Sequence, residues 1–346
     1  MNREELMRRA LVLAKQGQGR VAPNPMVGCV IVYDDKIVAE GYHQKHGEAH
    51  AEVNAIAQIP KHISPSQCTL YVTLEPCSHF GKTPPCADLI IQKGFKKVVV
   101  AAVDPNPLVA GKGIQKLKDA GIAVDSGVLE KEAKDLNREF LTFQIKKRPY
   151  IVLKWAQSAD GFIGRKSSPD RPFDNKISGD QAQRMVHELR AGFMGIMVGK
   201  NTVLNDNPHL TTRLVPGNNP IRLVIDQSLS IPKHFNVFND EAKTIVFNGL
   251  KEESALGISL VNINFGLNIL PQIMEYLYAQ RISSVLVEGG SMLLSAFIAA
   301  DLWDEAYVIE NSEMFLGDGI QAPTFQKIEG WKSIGNDRFA HLIKPI

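Results

Sequence analysis

Four residues of the N-terminal half, His50, Glu52, Cys77 and Cys86, have the types and spacing of a metal-dependent catalytic centre. A catalytic zinc site uses three protein ligands, often nitrogen and thiolate donors, and keeps a further position open for water. One histidine and two cysteines supply such a set. The carboxylate of Glu52, two residues after the histidine, can then transfer a proton without being a ligand.

The order of these residues matches the signature H-x-E…P-C-x-x-C of zinc-dependent nucleobase deaminases. Each cysteine follows a proline, but eight residues separate the two cysteines where the signature has two. Zinc lowers the pKa of bound water towards ~7, and a nearby carboxylate can carry the proton to a leaving amine. The residues therefore predict hydrolytic removal of an amino group from a pyrimidine or purine ring.

Two other interpretations stay open on the residues alone. The cluster could be a structural zinc clip in a binding protein, because structural sites are closed by four ligands and Cys68 or His79 could be the fourth. The chain could also be a deaminase of nucleosides or tRNA with a non-catalytic C-terminal domain. Cys29 and Cys68 both lie in strand-like runs, where a free cysteine is usually a small buried side chain.

The overall composition excludes several function classes. The 346-residue chain has 39 Lys and Arg against 37 Asp and Glu, a net charge of +2 that gives no reason to expect a nucleic-acid partner. Its apolar stretches are shorter than the ~18 residues of a membrane span. Residues 1–17 form an amphipathic helical pattern without the apolar region of a signal peptide. We therefore expect a cytoplasmic protein with no membrane contact.

The elements that position the first cluster alternate between strands and helices. His50 lies near the start of one predicted helix and Cys86 at the start of another, while Cys77 directly follows a strand. Helix N-termini favour thiolate over thiol because they carry partial positive charge. The predicted strands are "VGCVIVY", "IVAEGYH", "CTLYVTLEP", "KKVVVAAV" and "IAVDSGV", and the predicted helices are "AHAEVNAIAQI", "CADLIIQKG", "GKGIQKLKDAG" and "EKEAKDLNREFLTFQ".

The charged run "IKKRP" at 145–149 predicts a boundary between two α/β domains, 1–145 and 150–346. No GxGxxG follows a strand, so a dinucleotide-binding Rossmann fold has no support. The two glycines of "VEGGSMLLSAF" instead follow a strand and open a helix, whose N-terminus could hold a phosphate. The second half predicts the strands "YIVLKWAQ", "GIMVG", "IRLVIDQ" and "SSVLVEGG", and helices near 179–191, in "LNILPQIMEYLYAQR" and in "SMLLSAFIAA".

The runs "PNPMVGCV", "GYHQKHGEAHAE", "LEPCSHFGKTPPC" and "DPNP" resemble the deaminase half of the bifunctional riboflavin-biosynthesis deaminase–reductases. The wide cysteine spacing is typical of that family. The runs "VLKWAQSADGFI", "HELRAGFMGIMVGKNTVLNDNPHLTTR" and "LVEGGSMLLSAF" are similar to its dihydrofolate-reductase-like half. The resemblance implies an α/β chain with an N-terminal cytidine-deaminase-like zinc domain and a C-terminal dihydrofolate-reductase-like domain.

This resemblance also implies an activity and two cofactors. The family deaminates a diaminopyrimidinone that bears a ribosylamino 5′-phosphate, and then reduces the ribosyl chain to ribityl with NADPH. We therefore expect Zn²⁺ and NADPH as cofactors, a small phosphorylated pyrimidine as substrate, no nucleic-acid partner, and a homo-oligomer.

Carried over residue by residue, the resemblance assigns His50, Cys77 and Cys86 to zinc and Glu52 to proton transfer. The positions that would contact the substrate in the deaminase half are Asn24, His43, Lys82, Asp104 and Asn106. Of these, Lys82 lies in the insert between the two cysteines and suits the substrate's phosphate.

In the second half, the resemblance implies two groups of contacts. NADPH would contact Ala156, Thr202, Asp206, Ser228, Gly290, Ser291, Met292, Leu293, Leu294, Ser295 and Ala296. The phosphorylated sugar would contact Lys154, Arg190, Leu210, Arg213 and Glu288. Lys154 and Asp206 are the candidates for the proton donor of the reduction. The chain departs from the family at Lys176, where a tryptophan is usual, and at Asn207, where "DDP" reads "DNP".

Overall fold

Two main sheets organise the residues that the computed structural model describes, which are 1–79, 84–105, 110–165, 176–325 and 328–344. The chain divides into two units, Met1–Lys147 and Arg148–Ile346, and each unit contains one of these sheets. Within the described ranges, no helix has the length and apolar character needed to cross a membrane.

The sheet of the N-terminal unit has the strand order β2-β1-β3-β4-β5. Strand β1 is antiparallel to both β2 and β3, while β3, β4 and β5 run parallel. The strands are β1 (Gly28–Tyr33), β2 (Lys36–Tyr42), β3 (Thr69–Leu74), β4 (Lys97–Ala102) and β5 (Ala123–Ser126). The helices are α1 (Arg3–Lys15), α2 (Ala51–Ile56), α3 (Cys86–Lys93), α4 (Lys112–Asp119), α5 (Glu130–Leu136) and α6 (Arg138–Lys146).

Helices cover both faces of this sheet because its central strands are apolar on both sides. Successive strand residues point to opposite faces. In β1, Cys29 and Ile31 therefore pack in the core that α2, α3 and α4 share, whereas Val30 and Val32 pack in the core with α1. Strand β4 divides its valines in the same way. The near-continuous apolar runs of the sequence thus become buried strands.

The prediction of one continuous helix over "EKEAKDLNREFLTFQ" is wrong, because the structure breaks it at Asn137 into α5 and α6. The Asn137 side chain is buried and accepts a hydrogen bond from the Met26 backbone N–H at 2.8 Å. Its amide donates to the Met26 carbonyl at 2.9 Å. These two tertiary bonds, 111 residues apart in sequence, fix the break, and local helix propensity does not reveal them.

The sheet of the C-terminal unit has ten strands in the order β11-β12-β10-β9-β8-β13-β6-β14-β17-β16. Its centre, from β12 to β14, is parallel, and antiparallel strands lie at both edges. The central strands are β6 (Tyr150–Ser158), β8 (Gly195–Gly199), β9 (Ile221–Ile225), β10 (Thr244–Asn248), β12 (Ile258–Asn262), β13 (Ser284–Gly289) and β14 (Glu305–Asn311). The edge strands are β11 (Glu253–Ala255), β16 (Lys332–Ile334) and β17 (Asp337–Ile343), and β7 (Phe162–Gly164) pairs separately with β15 (Ile320–Gln321).

Four helices cover the two faces of this second sheet: α7 (Asp180–Gly192), α8 (Lys200–Asp206), α9 (Ile269–Ala279) and α10 (Ser291–Ala299). The larger core joins α9 and α10 to the strand residues Ile151, Met197 and Phe247. On the opposite face, α8 packs through Val203.

Arg222 is an unusual member of this unit, because its guanidinium is fully buried in the middle of the sheet. A buried charge is tolerated only where its hydrogen-bonding groups are satisfied. Arg222 meets that condition through five hydrogen bonds, which it donates to the carbonyls of His209, Val237, Asn239 and Ala242 and to the side chain of Asn239. The Arg222 side chain therefore connects β9 to the irregular segments that contain His209, Val237, Asn239 and Ala242.

We predict that Arg222→Met destabilises the C-terminal unit by about 3–5 kcal/mol, because it removes a buried donor that four buried or part-buried carbonyl groups share. Denaturant unfolding of the intact chain would measure this change. Arg184→Met is the matched control, since the Arg184 side chain is 65% exposed and its partner Glu188 lies 3.7 Å away. Equal stability of the two variants would contradict the assigned role of Arg222.

Candidate functional site

The topology of the N-terminal sheet brings the predicted deaminase residues to one edge. Strands β2, β3 and β4 run in the same direction, because β1 is antiparallel to both β2 and β3. His43 directly follows β2, Cys77 follows β3, and Asp104 follows β4. Since the carboxyl ends of these strands meet at one edge, the functional residues that follow them lie together.

His50, Cys77 and Cys86 form the one group of potential metal ligands in the described part of the chain, with their ligand atoms within 4.8 Å of one another. The His50 Nδ1 atom lies 3.6 Å from Cys77 Sγ and 3.3 Å from Cys86 Sγ. Nitrogen and sulfur ligands of a tetrahedral zinc ion lie about 3.5 Å apart, given bond lengths of about 2.05 and 2.3 Å. The three side chains therefore fit zinc by chemical type and by spacing.

Local structure places two of these ligands at helix starts. His50 is the N-terminal capping residue of α2, and Cys86 is the first residue of α3. The backbone N–H of Cys86 donates to Cys77 Sγ at 3.3 Å. Hydrogen bonds from Cys86 and His50 lower the pKa of the Cys77 thiol, which favours the thiolate that binds metal.

The two residues that could have closed a four-ligand structural site do not join this group. Cys68 is buried in the core and its thiol points to the Ser64 carbonyl at 3.5 Å. His79 also lies outside the group of ligand atoms. A site of three protein ligands leaves a position for water, as catalytic zinc sites do.

Glu52 lies in the first turn of α2, and its side chain is only 3% exposed. Burial, with a further contribution from the negative charge of Cys77, raises the pKa of Glu52 to about 7. A carboxyl group with a pKa near neutrality can both accept and donate a proton. Glu52 is not among the grouped ligand atoms, so its position suits proton transfer.

His43 and Asn24 form a hydrogen-bonded pair beside the metal-ligand group. The Asn24 amide lies 3.3 Å from His43 Nε2, and His43 Nδ1 lies 3.0 Å from the Ala49 carbonyl. Because the carbonyl can only accept, His43 carries its proton on Nδ1 and accepts from Asn24 on Nε2. The His43 ring also packs edge-on against the His50 ring, with centroids 5.4 Å apart. Burial lowers the pKa of His43, which favours the neutral ring.

Glu75, a buried carboxylate to which the sequence analysis assigned no role, organises this edge. Its Oε2 atom accepts the N–H groups of Asp104 at 3.2 Å and Gly111 at 2.9 Å. Its Oε1 atom accepts those of Gly113 at 2.8 Å and Ile114 at 3.1 Å. The carboxylate thus joins the end of β3 to the loop that carries Asp104 and to the start of α4. An acidic residue at the end of an apolar strand is the one sequence signal that could have indicated it.

Two predicted substrate positions, Lys82 and Asn106, lie outside the described residues. Asp104, another predicted substrate position, is half-buried, and its backbone N–H donates to the Glu75 carboxylate.

In the C-terminal unit, the predicted NADPH positions lie near the carboxyl ends of four neighbouring parallel strands, in the order β9-β8-β13-β6. Ser228 follows β9, Thr202 follows β8, Gly290 follows β13, and Ala156 lies near the end of β6. Ligands of parallel α/β sheets bind at this edge. The structure therefore brings these separately predicted residues to the same end of the sheet.

The glycine turn at the start of α10, Gly289 and Gly290, lies among the predicted NADPH positions and has a backbone geometry that suits a phosphate. Gly289 has a φ of +137°, which side chains rarely adopt. A Cβ atom on Gly290 would lie 3.3 Å from Thr202 Oγ1, a tight contact that glycine avoids. Since α10 starts at Ser291, its first amides face this turn, an arrangement that suits a phosphate. Leu294 is buried in the core, so it can reach the cofactor only through its backbone.

Lys154, Arg190 and Glu288 form a buried charged cluster at the same sheet. Arg190 binds Glu288 through two hydrogen bonds of 2.7 and 2.8 Å, and Lys154 Nζ lies 3.8 Å from Glu288. Burial alone would raise the pKa of Glu288, but Arg190 and Lys154 together lower it to about 2. Glu288 is therefore ionised, and the cluster carries a net positive charge.

Next to this cluster lies Arg213, whose guanidinium donates to Thr211 Oγ1 at 2.9 Å. The backbone N–H of Arg213 donates to His187 Nδ1 at 2.9 Å. The sequence analysis did not assign a function to His187, which lies on α7 one turn before Arg190. Leu210 has a side chain that is 2% exposed and packs in the core, so a ligand can reach only its backbone.

Two of the positions that depart from the family pattern, Lys176 and Asn207, lie near helix ends. Lys176 is exposed and pairs with Asp180, the first residue of α7, at 3.0 Å. Asn207 follows α8 in a left-handed conformation, and its side chain accepts the N–H of Asn236 at 2.8 Å. Asp206, a candidate proton donor, is the exposed last residue of α8.

Both halves of the chain match known family models. Residues 1–102 match the cytidine and deoxycytidylate deaminase zinc-binding region, and residues 149–337 match the RibD C-terminal domain. These matches confirm the predicted α/β class with a cytidine-deaminase-like N-terminal domain and a C-terminal reductase domain. The same matches, with the metal-ligand group, show that the cofactors of the chain are Zn²⁺ and NADPH.

Relatives from several bacteria match nearly the whole chain. The riboflavin biosynthesis protein RibD of Aquifex aeolicus is 42% identical over 91% of this chain and 88% of its own length. That of Escherichia coli is 38% identical over 99% of this chain and 100% of its own.

Solved structures give the same result. The Thermotoga maritima diaminohydroxyphosphoribosylaminopyrimidine deaminase/5-amino-6-(5-phosphoribosylamino)uracil reductase is 39% identical with a TM-score of 0.88, and Acinetobacter baumannii RibD is 34% identical with a TM-score of 0.86. Each alignment covers 98% of both chains. The chain therefore belongs to the RibD family of riboflavin biosynthesis and is a bifunctional deaminase and reductase.

Proposed function

We propose that residues 1–145 deaminate, and residues 150–346 reduce, a diaminopyrimidinone that carries a ribosylamino 5′-phosphate. The observation that carries this proposal is the convergence of His50, Cys77 and Cys86 beside the buried carboxyl group of Glu52. The cationic cluster of the second unit supports a phosphorylated substrate, because Arg and Lys are the side chains that bind phosphate.

In the deaminase step, His50, Cys77 and Cys86 would hold zinc, which would supply a water activated for attack at neutral pH. Glu52 accepts a proton as the water oxygen bonds to the ring carbon, and donates a proton to the amino group that leaves as ammonia. Its raised pKa allows both transfers. The sequence-based assignment gives Asn24 and His43 to the substrate. Because both ring nitrogens of His43 are engaged by Ala49 and Asn24, His43 would act by orienting the Asn24 amide, which would hydrogen-bond the substrate.

In the reductase step, bound NADPH would supply a hydride to the sugar C1′, and the product needs one proton as well. The residues of the chain hold the two reactants and supply that proton. Lys154 is buried beside Glu288, and burial lowers the pKa of its ammonium group, which makes proton release easier. Asp206 is exposed at the end of α8. This difference in surroundings favours Lys154 as the donor.

We further propose a cytoplasmic location, which the cysteines support because none of the four forms a disulfide and a reducing compartment keeps cysteines unpaired. The homo-oligomer stays a prediction. The alternative function, a nucleoside or tRNA deaminase with a non-catalytic C-terminal domain, is not favoured, because the C-terminal match is to the RibD domain of the same bifunctional proteins.

Glu52→Gln is expected to lower deamination by about 10²–10⁴-fold, because the amide cannot transfer the proton. Zinc content should stay at the wild-type level, since the three ligands are unchanged. Ammonia release and metal analysis of the purified variant measure both quantities. Glu40→Gln is the control, because it removes a carboxylate of the same unit that only pairs with Arg9. Full deaminase activity in the Glu52 variant would remove this residue from the mechanism.

Removal of zinc should separate the two activities. After chelation, ammonia release should fall to background, while NADPH oxidation with the deaminated substrate should continue, because the reductase positions include no metal ligand of the group. Added Zn²⁺ should restore deamination. Equal loss of both activities, with no change in secondary structure by circular dichroism, would argue against separate sites in the two units.

Arg190→Gln is expected to raise the reductase KM for the phosphorylated substrate by about tenfold or more, because Glu288 loses its bidentate cation and the site loses positive charge. Deamination by the same chain should not change and provides an internal reference. Arg184→Gln, an exposed position on the same helix, serves as the matched control. An unchanged KM in the Arg190 variant would exclude this cluster from substrate binding.

A further inference from the structure

His187 holds the backbone of the segment that carries Arg213. Its side chain lies on α7 and is only 6% exposed. The ring atom Nδ1 accepts the backbone N–H of Arg213 at 2.9 Å. An imidazole nitrogen that accepts a hydrogen bond carries no proton, so the proton of the neutral ring is on Nε2. The bond therefore requires neutral imidazole in one particular tautomer.

The surroundings of His187 keep the ring neutral. Burial and the nearby cations Arg190, Arg213 and Lys154 lower the pKa of His187 to about 4, against a smaller opposing effect of Glu288. A protonated ring would present an N–H group to the N–H of Arg213. The cations around His187 therefore keep its Nδ1 atom unprotonated, so that this atom can accept the hydrogen bond from the Arg213 backbone.

The segment 211–213 has no strand or helix to fix it and depends on side-chain contacts. On one side, the Thr211 carbonyl accepts from Arg190 Nη1 at 3.3 Å, and Thr211 Oγ1 accepts from Arg213 at 2.9 Å. On the other side, Arg213 is held through its backbone by His187. Thr212 is also held, by the Asn219 side chain at 2.8 Å and the Asn218 carbonyl at 3.1 Å. The bond to His187 ties the Arg213 main chain itself to α7, which also carries Arg190.

We propose that His187 is a positioning residue of the reductase, whose Nδ1 atom fixes the Arg213 main chain so that the guanidinium faces a phosphate monoester of the substrate. This inference rests on the proposed function, which gives Arg213 the phosphorylated sugar. His187 acts through Arg213 and makes no contact with the reacting atoms. The assignment explains why a histidine, rather than an aliphatic residue, occupies a nearly buried position of α7.

Two substitutions of similar polarity separate this role from simple packing. In His187→Asn, the side-chain oxygen can take the place of Nδ1, whereas in His187→Gln the amide reaches the place of Nε2. Loss of the acceptor leaves the Arg213 N–H without a partner, so we expect the Gln variant to raise KM for the phosphorylated substrate about tenfold or more, with kcat within about threefold. The Asn variant should restore most of the wild-type KM.

The measurement is steady-state NADPH oxidation with the deaminated, phosphorylated substrate, using the full chain with zinc bound. Ammonia release by the same preparation reports intact protein, and NADPH affinity by fluorescence titration reports an intact reductase unit. Glu188→Gln is the matched control, because the neighbouring Glu188 side chain is 61% exposed and pairs only loosely with Arg184. Its KM should equal that of the wild type.

Arg213→Gln separates the failure of this inference from the failure of the proposed function. If Arg213→Gln raises KM while both His187 variants match the wild type, the positioning role is wrong and the phosphate contact stands. Equal impairment of the Asn and Gln variants would also overturn the role, because it would show that the Nδ1 acceptor is irrelevant. If Arg213→Gln leaves KM unchanged, the assignment of Arg213 to the substrate fails, and the inference fails with it.

Discussion

A carboxylate that folding removes from water stays ionised only where hydrogen-bond donors or cations stabilise its charge. Each unit has one such stabilised carboxylate near its candidate site. In the N-terminal unit, Glu75 is compensated by four backbone N–H groups, which ties the strand before Cys77 to the loop that carries Asp104. In the C-terminal unit, Glu288 is compensated by Arg190 and Lys154. Backbone donors give a fixed scaffold, whereas side-chain cations leave positive charge at the site. The first arrangement suits a metal centre and the second suits a phosphorylated ligand.

The metal ligands illustrate how much of a site the hydrophobic sheet determines. His50 and Cys77 follow strands that run in the same direction, and Cys86 begins a helix that packs in the core with them. Gly113 allows α4 to approach closely, since a Cβ atom there would lie 2.0 Å from the Pro76 carbonyl. The apolar core therefore brings the three ligands to the spacing of a tetrahedral site.

The sequence alone was enough to select His50, Cys77, Cys86 and Glu52, which the fold brings together, because residue type, spacing and the preceding prolines are local signals. It predicted the strands for a similar reason, since apolar runs of β4 and β8 are buried on both faces. It failed where a distant partner decides the outcome. The break at Asn137 depends on Met26, and the roles of Glu75 and His187 depend on backbone N–H groups of other segments. A backbone donor leaves no trace in the sequence, so such contacts become visible only in the fold.

The position of both sites follows from one property of parallel sheets. Strands that are apolar on both faces leave polar groups little space except at their ends, and the loops at the carboxyl ends meet at one edge. Such an edge gathers residues from several strands, as β2, β3 and β4 do for the metal centre and β9, β8, β13 and β6 do for the cofactor positions. The candidate metal centre and the predicted cofactor positions have different surroundings, because the first has a histidine and a cysteine at helix starts and the second has glycine backbone beside cations. Two sheets supply two separate edges, so each activity can keep its own electrostatic environment within one chain.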